Sequence, residues 1–213
     1  MSRRFLLILA VLFIGFGGFI IYTKQKSNQN GGSVDLAAGS NHVLGTATTG
    51  VSIVEFGDFQ CPACGQYYPL FKALKEKYGD KISFQFRHFP LVNIHPNAMA
   101  AHRASEAASK QNKFWEMHDM LYERQQQWSS STDASKIFEN YATELELNME
   151  QYKKDITNES VSGIINADVK AAQAIDASST PTIVIGGKKV DKLPQPNDIA
   201  AFTKLIDDAI AKK

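Results

Sequence analysis

Cys61 and Cys64 are the only cysteines in a chain of 213 residues, separated by Pro62 and Ala63. Three chemistries use such a pair: a structural disulfide, half of a metal site, or a dithiol that cycles between reduced and oxidised forms. A bridge across two intervening residues closes too short a loop to stabilise much, because the chain-entropy gain of a disulfide grows with loop length. Zinc would accept the pair but needs two further ligands, usually from a second C-x-x-C or an H-x₃₋₅-H. No second cysteine pair exists, and His42, His88, His95, His102 and His118 show no such spacing. Those histidines read as surface or capping residues, and no metal is called for. What remains is a redox-active dithiol.

The segments around the pair position it for that role. "VSIVEF", 51–56, is a β-branched apolar run of strand length. Beyond Cys61, the spacing of Tyr67, Leu70, Phe71, Leu74 and Tyr78 predicts one buried helical face, with Gly79 as its C-cap. In "KISFQFRHFP", Ile82, Phe84 and Phe86 alternate with polar residues, which predicts a second strand, parallel to the first. The cysteines therefore start the crossover helix, with Pro62 suited to its first turn. Free N–H groups and the positive end of the helix dipole favour a Cys61 thiolate. Thiols so placed have pKa values from about 7 down to about 3.5, against about 8.5 for free cysteine. Cys64, one turn further in, is expected to be more buried and less reactive.

Glu55 falls six residues before Cys61, at the end of the strand. A carboxylate on a buried strand is costly unless it has a task or a partner, and the task predicted here is to take and return the Cys64 proton, directly or through a water. The alternative is an exposed strand-end acid. Downstream, "SSTPTIVIGGKKV", 178–190, predicts a strand over 182–185 and a Gly186-Gly187 hairpin turn. Pro181 stands at that strand's start. Physics alone leaves its peptide bond open, since only about 5–6% of X–Pro bonds are cis.

The net charge is +1, with no Lys/Arg stripe to track a phosphate backbone, which sets nucleic acid aside. Residues 1–4 carry Arg3 and Arg4, and 5–22 is an uncharged apolar run. Eighteen helical residues rise about 27 Å, near the thickness of a hydrocarbon core. This predicts a single-pass anchor in the cell membrane, with the N-terminus cytoplasmic and the remainder extracytoplasmic. A cleaved signal peptide is the alternative. The polar, Gly- and Ser-rich stretch 23–41 reads as a flexible linker, and the body as 42–213.

Five ordered motifs resemble the DsbA family of thiol–disulfide oxidoreductases: "HVLG" at 42–45, "VEFGDFQCPACGQYYP", "RHFPL" at 87–91, "HPNAMAAHRASEAASKQNKFWEMHDMLY" at 95–122 and "TPTIVIGG" at 180–187. The resemblance spans essentially all of 42–213. It implies an α/β, thioredoxin-like fold with a helical subdomain inserted at about 95–176, preceded here by the transmembrane helix. Within that stretch helices are expected from Pro96, over "FWEMHDMLY", over 134–141 and over 161–175, with Trp115 and Met117 in the core. A closing helix buries Ile199, Phe202, Leu205, Ile206 and Ile210. By resemblance, Cys61 is the exposed nucleophile, Cys64 its buried partner and Glu55 the acid beneath them. Likewise Thr180–Pro181 is a cis-proline loop whose Thr180 backbone pairs with an extended substrate as an added strand.

The implied activity is donation of the Cys61–Cys64 disulfide to reduced, exported proteins with free cysteines, without a cofactor. A quinone-linked membrane partner would reoxidise the pair. One position departs from the strongly oxidising members of the family: Ala63 stands where they carry a histidine that stabilises the thiolate. The direction of exchange is therefore open to its reverse, a disulfide reductase or isomerase. A metal-binding module using the two thiolates is the reading from another class, and it lacks two ligands.

Overall fold

Val51–Gly57 forms the central strand, β2, because its β-branched and aromatic side chains are covered on both faces. The computed structural model describes residues 39–213, so the predicted anchor over 5–22 and the linker up to residue 38 lie outside the described residues. Strand β1 is His42–Leu44, and β2 is followed by helix α1, Pro62–Tyr78, and strand β3, Ile82–His88. Strand β3 runs parallel to β2 in the register Val51 to Ile82, and β1 pairs antiparallel with β3. After six helices come β4, Thr182–Ile185, antiparallel to β2, the short β5, Lys188–Lys189, and helix α8, Ile199–Ile210. The sheet order is β1-β3-β2-β4-β5.

One face of the sheet is covered by α1 and α8. Tyr67, Leu70, Phe71 and Leu74 of α1 pack with Phe202 and Ile206 of α8 over Ile53, Phe84 and Ile183. At about 1.5–3 kcal/mol per fully buried large apolar side chain, this layer anchors the helix that carries the cysteines. Ile199, expected on the buried face of α8, is 41% exposed, because it opens the helix beyond the edge of the contact. The Tyr78–Gly79 end turns with a positive φ of 53° at Gly79, a conformation that suits glycine.

Between β3 and β4 lie α2 (Ala98–Ser109), α3 (Phe114–Glu123), α4 (Gln125–Trp128), α5 (Ala134–Glu144), α6 (Met149–Ile156) and α7 (Glu159–Ala174). Periodicity missed α4 and α6, which are one and two turns long. Helices α2 to α6 share a core of alanines and aromatics that includes Met117, Trp128 and Phe138. Helix α7 does something else: Ala172 and Val169 lie on Val54, Phe56 and Val184, covering the second face of the sheet. Trp115, expected in the core, is only partly buried.

The packed body begins earlier than the tether-like composition of 23–41 implied. Ser40 is buried; its N–H donates to Asp168 Oδ1 at 3.0 Å, and its hydroxyl bonds Asp168 Oδ2 and the Phe86 carbonyl. Gly39 makes this possible, since a Cβ there would lie 2.1 Å from Asp168 Oδ1.

Candidate active site

Strand β2 ends at Gly57, and the loop 58–60 delivers Cys61 as the N-cap of α1, with Pro62 in the first turn. No side chain caps this terminus and no acid lies in its first turn, so its N–H groups are left to the sulfur. The Cys61 thiol is lowered from 9.0 to about 5. A hydrogen bond from Cys64 is the main cause; burial opposes it, and Thr180 and the backbone N–H groups of Cys64 and Ala63 add to it. The Pro-Ala dipeptide thus contributes through its backbone, where a histidine would have used its side chain. Both cysteines are free thiols.

Cys61 is not exposed, as the resemblance had implied: it is 7% accessible, because the Thr180–Pro181 loop packs on it with the Thr180 carbonyl 3.5 Å from Sγ. The Thr180–Pro181 peptide bond is cis. Cys64 is fully buried, and burial, then the Cys61 hydrogen bond and the charge of Glu55, push its thiol well above the ordinary value. The Asp58 N–H at 3.5 Å from Cys64 Sγ works weakly against that rise. Glu55 is 2% exposed, and its Oε1 has no hydrogen-bond partner. Burial, followed by the negative charge of Cys61, raises its carboxyl from 4.5 to about 8. At neutral pH the arrangement is a Cys61 thiolate, a Cys64 thiol and a protonated Glu55, the set needed to exchange disulfides and manage one proton.

Side chains that the sequence did not mark hold the loop in place. Asp58 accepts from Gln60 N at 2.8 Å, Leu91 N at 2.8 Å and His95 Nδ1 at 2.7 Å, tying the Cys61 loop to the segment after β3. Gln60 bridges the Asn97 N–H and the Ser129 carbonyl. Gln125 donates to the carbonyls of Phe59, at 2.7 Å, and Cys61, at 2.9 Å. A Cβ on Gly65 would come within 2.7 Å of Gln125 Oε1, so the glycine admits this clamp. All three polar side chains answer backbone groups from distant segments, for which a single sequence carries no signal.

The histidines also differ from their surface reading: His88, His102 and His118 are buried, and His42 nearly so. His42 and His88 both bond Glu106 Oε1, His88 at 2.7 Å, while His88 Nδ1 meets His102 Nδ1 at 2.6 Å. Among the described residues, His42, His88 and Glu106 are the one group whose ligand atoms converge within 4.8 Å and could hold a metal ion. Sequence separations of 18 to 64 residues hide this grouping.

A family model described as thioredoxin matches residues 37–208. The chain belongs to the thioredoxin family. Among its relatives, the probable disulfide bond formation protein D of Bacillus anthracis is 29% identical over 202 residues, covering 92% of this chain and 90% of that protein. The Na(+)/H(+) antiporter NhaA 3 of Salinispora tropica is 35% identical over 171 residues, 80% of this chain. This thioredoxin-family chain spans about a quarter of the length of the antiporter relatives it matches. The crystal structure of oxidised BdbD from Bacillus subtilis shares the fold, with a TM-score of 0.67 at 23% identity, over 79% of this chain and 92% of that one.

Proposed function

We propose that this thioredoxin-family protein is a thiol–disulfide oxidoreductase that donates its Cys61–Cys64 disulfide to reduced, exported proteins. The observation that carries the reading is the geometry of the pair: Cys61 stands at the uncapped start of α1 with the Thr180 carbonyl of the cis Thr180–Pro181 loop 3.5 Å from its sulfur, and Cys64 is fully buried within the first turn of that helix. A substrate thiolate attacks Cys61 Sγ, the enzyme S–S bond breaks, and its electron pair goes to Cys64, which takes the Glu55 proton. A second substrate thiolate then releases the substrate disulfide and leaves Cys61 as a thiolate. The lower that thiolate's pKa, the more the reduced enzyme is favoured and the more oxidising its disulfide. This supports donation over the reverse reaction in spite of Ala63.

The extended substrate lies along the Thr180 backbone, beside Cys61. The apolar run 5–22 behind Arg3 and Arg4 supports an anchored protein with its body on the extracytoplasmic side, where a quinone-linked membrane partner would restore the disulfide. Equilibration with glutathione buffers tests the direction. A potential of about −120 to −180 mV supports donation, whereas about −270 mV makes the protein a reductant.

A further inference from the structure

A substrate chain joined to Cys61 through a cysteine in its middle leaves the sulfur in two directions. The Thr180 backbone receives one arm, its carbonyl lying 3.5 Å from Cys61 Sγ. A separate cleft of about 590 Å³ begins at Pro62 and runs between the start of α1 and the turn from α3 into α4. Neither Thr180 nor Pro181 lines it. Gln125 of its wall is fixed to the cysteine loop, because its amide donates to the Cys61 carbonyl at 2.9 Å and to the Phe59 carbonyl at 2.7 Å.

The α4 wall is held from behind. Trp128 is fully buried and its Nε1 donates to the Leu121 carbonyl at 2.9 Å. The Ser129 carbonyl accepts from Gln60 at 2.7 Å and from Asn97 at 3.3 Å. A binding surface supported in this way keeps its geometry when a ligand arrives. The two charged residues of the wall are already engaged: Glu123 accepts from the Tyr68 hydroxyl at 2.9 Å, and Arg124 pairs with Glu144 at 2.6 Å. That leaves three primary amides facing solvent, Gln66 of α1 and Gln126 and Gln127 of α4, whose side chains have no bonding partner among the described residues.

A primary amide both donates and accepts, and a peptide group asks for both kinds of partner. Small-molecule sites are mostly apolar with a few polar groups, whereas Pro62 is the one aliphatic side chain in this lining. We propose that this cleft binds the second arm of the substrate, in extended form, through bonds from Gln66, Gln126 and Gln127 to its backbone. This rests on the exchange reaction proposed above and narrows its substrate class: an unfolded segment around a cysteine, read by its peptide groups and not by its side chains. A helix or a paired strand, whose peptide groups are already bonded, has little to offer the three amides. A small dithiol has no chain to place there at all.

The test reduces the oxidised full chain with two kinds of thiol: dithiothreitol, and a reduced two-cysteine peptide with chain on both sides of its cysteines. In Gln126→Ala/Gln127→Ala, the half-saturating peptide concentration rises about fivefold or more while the saturated rate holds, the lower end for two lost hydrogen bonds that bind ground and transition states alike. Dithiothreitol reacts at the parent rate, and the redox potential does not move. A second peptide with different side chains beside its cysteines loses by the same factor. Gln66→Ala, on the opposite wall, raises the half-saturating concentration about twofold or more, and decides alone should the double variant not fold. An unchanged peptide response overturns the proposal, as does a loss confined to one of the two peptides. An equal slowing of dithiothreitol also overturns it, since the effect would then lie at the cysteines. Absence of reaction with either thiol in the unmutated protein would instead remove the exchange reaction itself.

Discussion

Two buried polar regions lie side by side in this molecule, and they are built on opposite terms. In one, Arg87 meets Asp168 at 2.7 Å, Asp168 also accepts from Ser40 and the His88 N–H, and Glu106 is held by His42 and His88. In the other, Glu55 is just as buried, yet its Oε1 has no partner. Glu106 is drawn from 4.5 to about 2: burial opposes the shift, and the bonds and charges of the two histidines outweigh it. Glu55 is driven the other way, to about 8. Burial alone therefore does not mark the reactive acid. What distinguishes it is the partner the fold withholds.

Four experiments break or sharpen that contrast. The largest effect belongs to Cys61→Ser, which reduces disulfide transfer to a model peptide to background while leaving the melting temperature within a few degrees. Full activity in that variant would end the case for chemistry at this end of the molecule. Asp168→Asn strikes the paired region: it weakens a buried ion pair and three hydrogen bonds, at a cost of about 3–5 kcal/mol in urea unfolding, with the Cys61 alkylation rate unchanged. A loss below about 1 kcal/mol would mean that the paired region is not structural.

The remaining two concern pH and have opposite signs. In the reduced protein, the folded pKa of Glu55 is raised, so the folded state holds that proton more tightly. Stability falls as pH rises from about 4.5 to about 8, by on the order of 5 kcal/mol. Glu55→Gln removes that slope and unfolds less readily than the parent at pH 9. Glu106 has its folded pKa depressed, so its contribution is present above about 4.5 and is lost as pH falls toward about 2, on the order of 3 kcal/mol. Glu106→Gln abolishes it, and denaturation curves at pH 3 and pH 7 then move closer together. Should both variants change the slope in the same direction, the two regions are not the opposites described.

The sequence made the first region hard to read and the second easier. Strand β2, helix α1 and strand β3 are adjacent in the chain, and their periodicities of two and 3.6 are carried by large apolar residues such as Ile53, Leu70 and Phe84. Cys61, Cys64 and Glu55 lie within ten residues, so local geometry brings them to one place. The Glu106 cluster draws on β1, β3 and α2, and Asp58, just past the end of β2, reaches Leu91 and His95 beyond the end of β3. Each histidine taken singly looked like surface, since nothing in its neighbourhood announced a buried partner. Helices α4 and α6 escaped because one or two turns hold too few apolar positions to set a period.

Ser40 has a practical bearing on how this protein can be cut. Its bonds to Asp168 and the Phe86 carbonyl stitch the first described residues to α7 and to β3. A shortened chain beginning at His42, where the composition turns from polar to apolar, would sever that seam and take an acceptor's partners away from Asp168. The fragment to express for crystals or calorimetry starts ahead of Gly39.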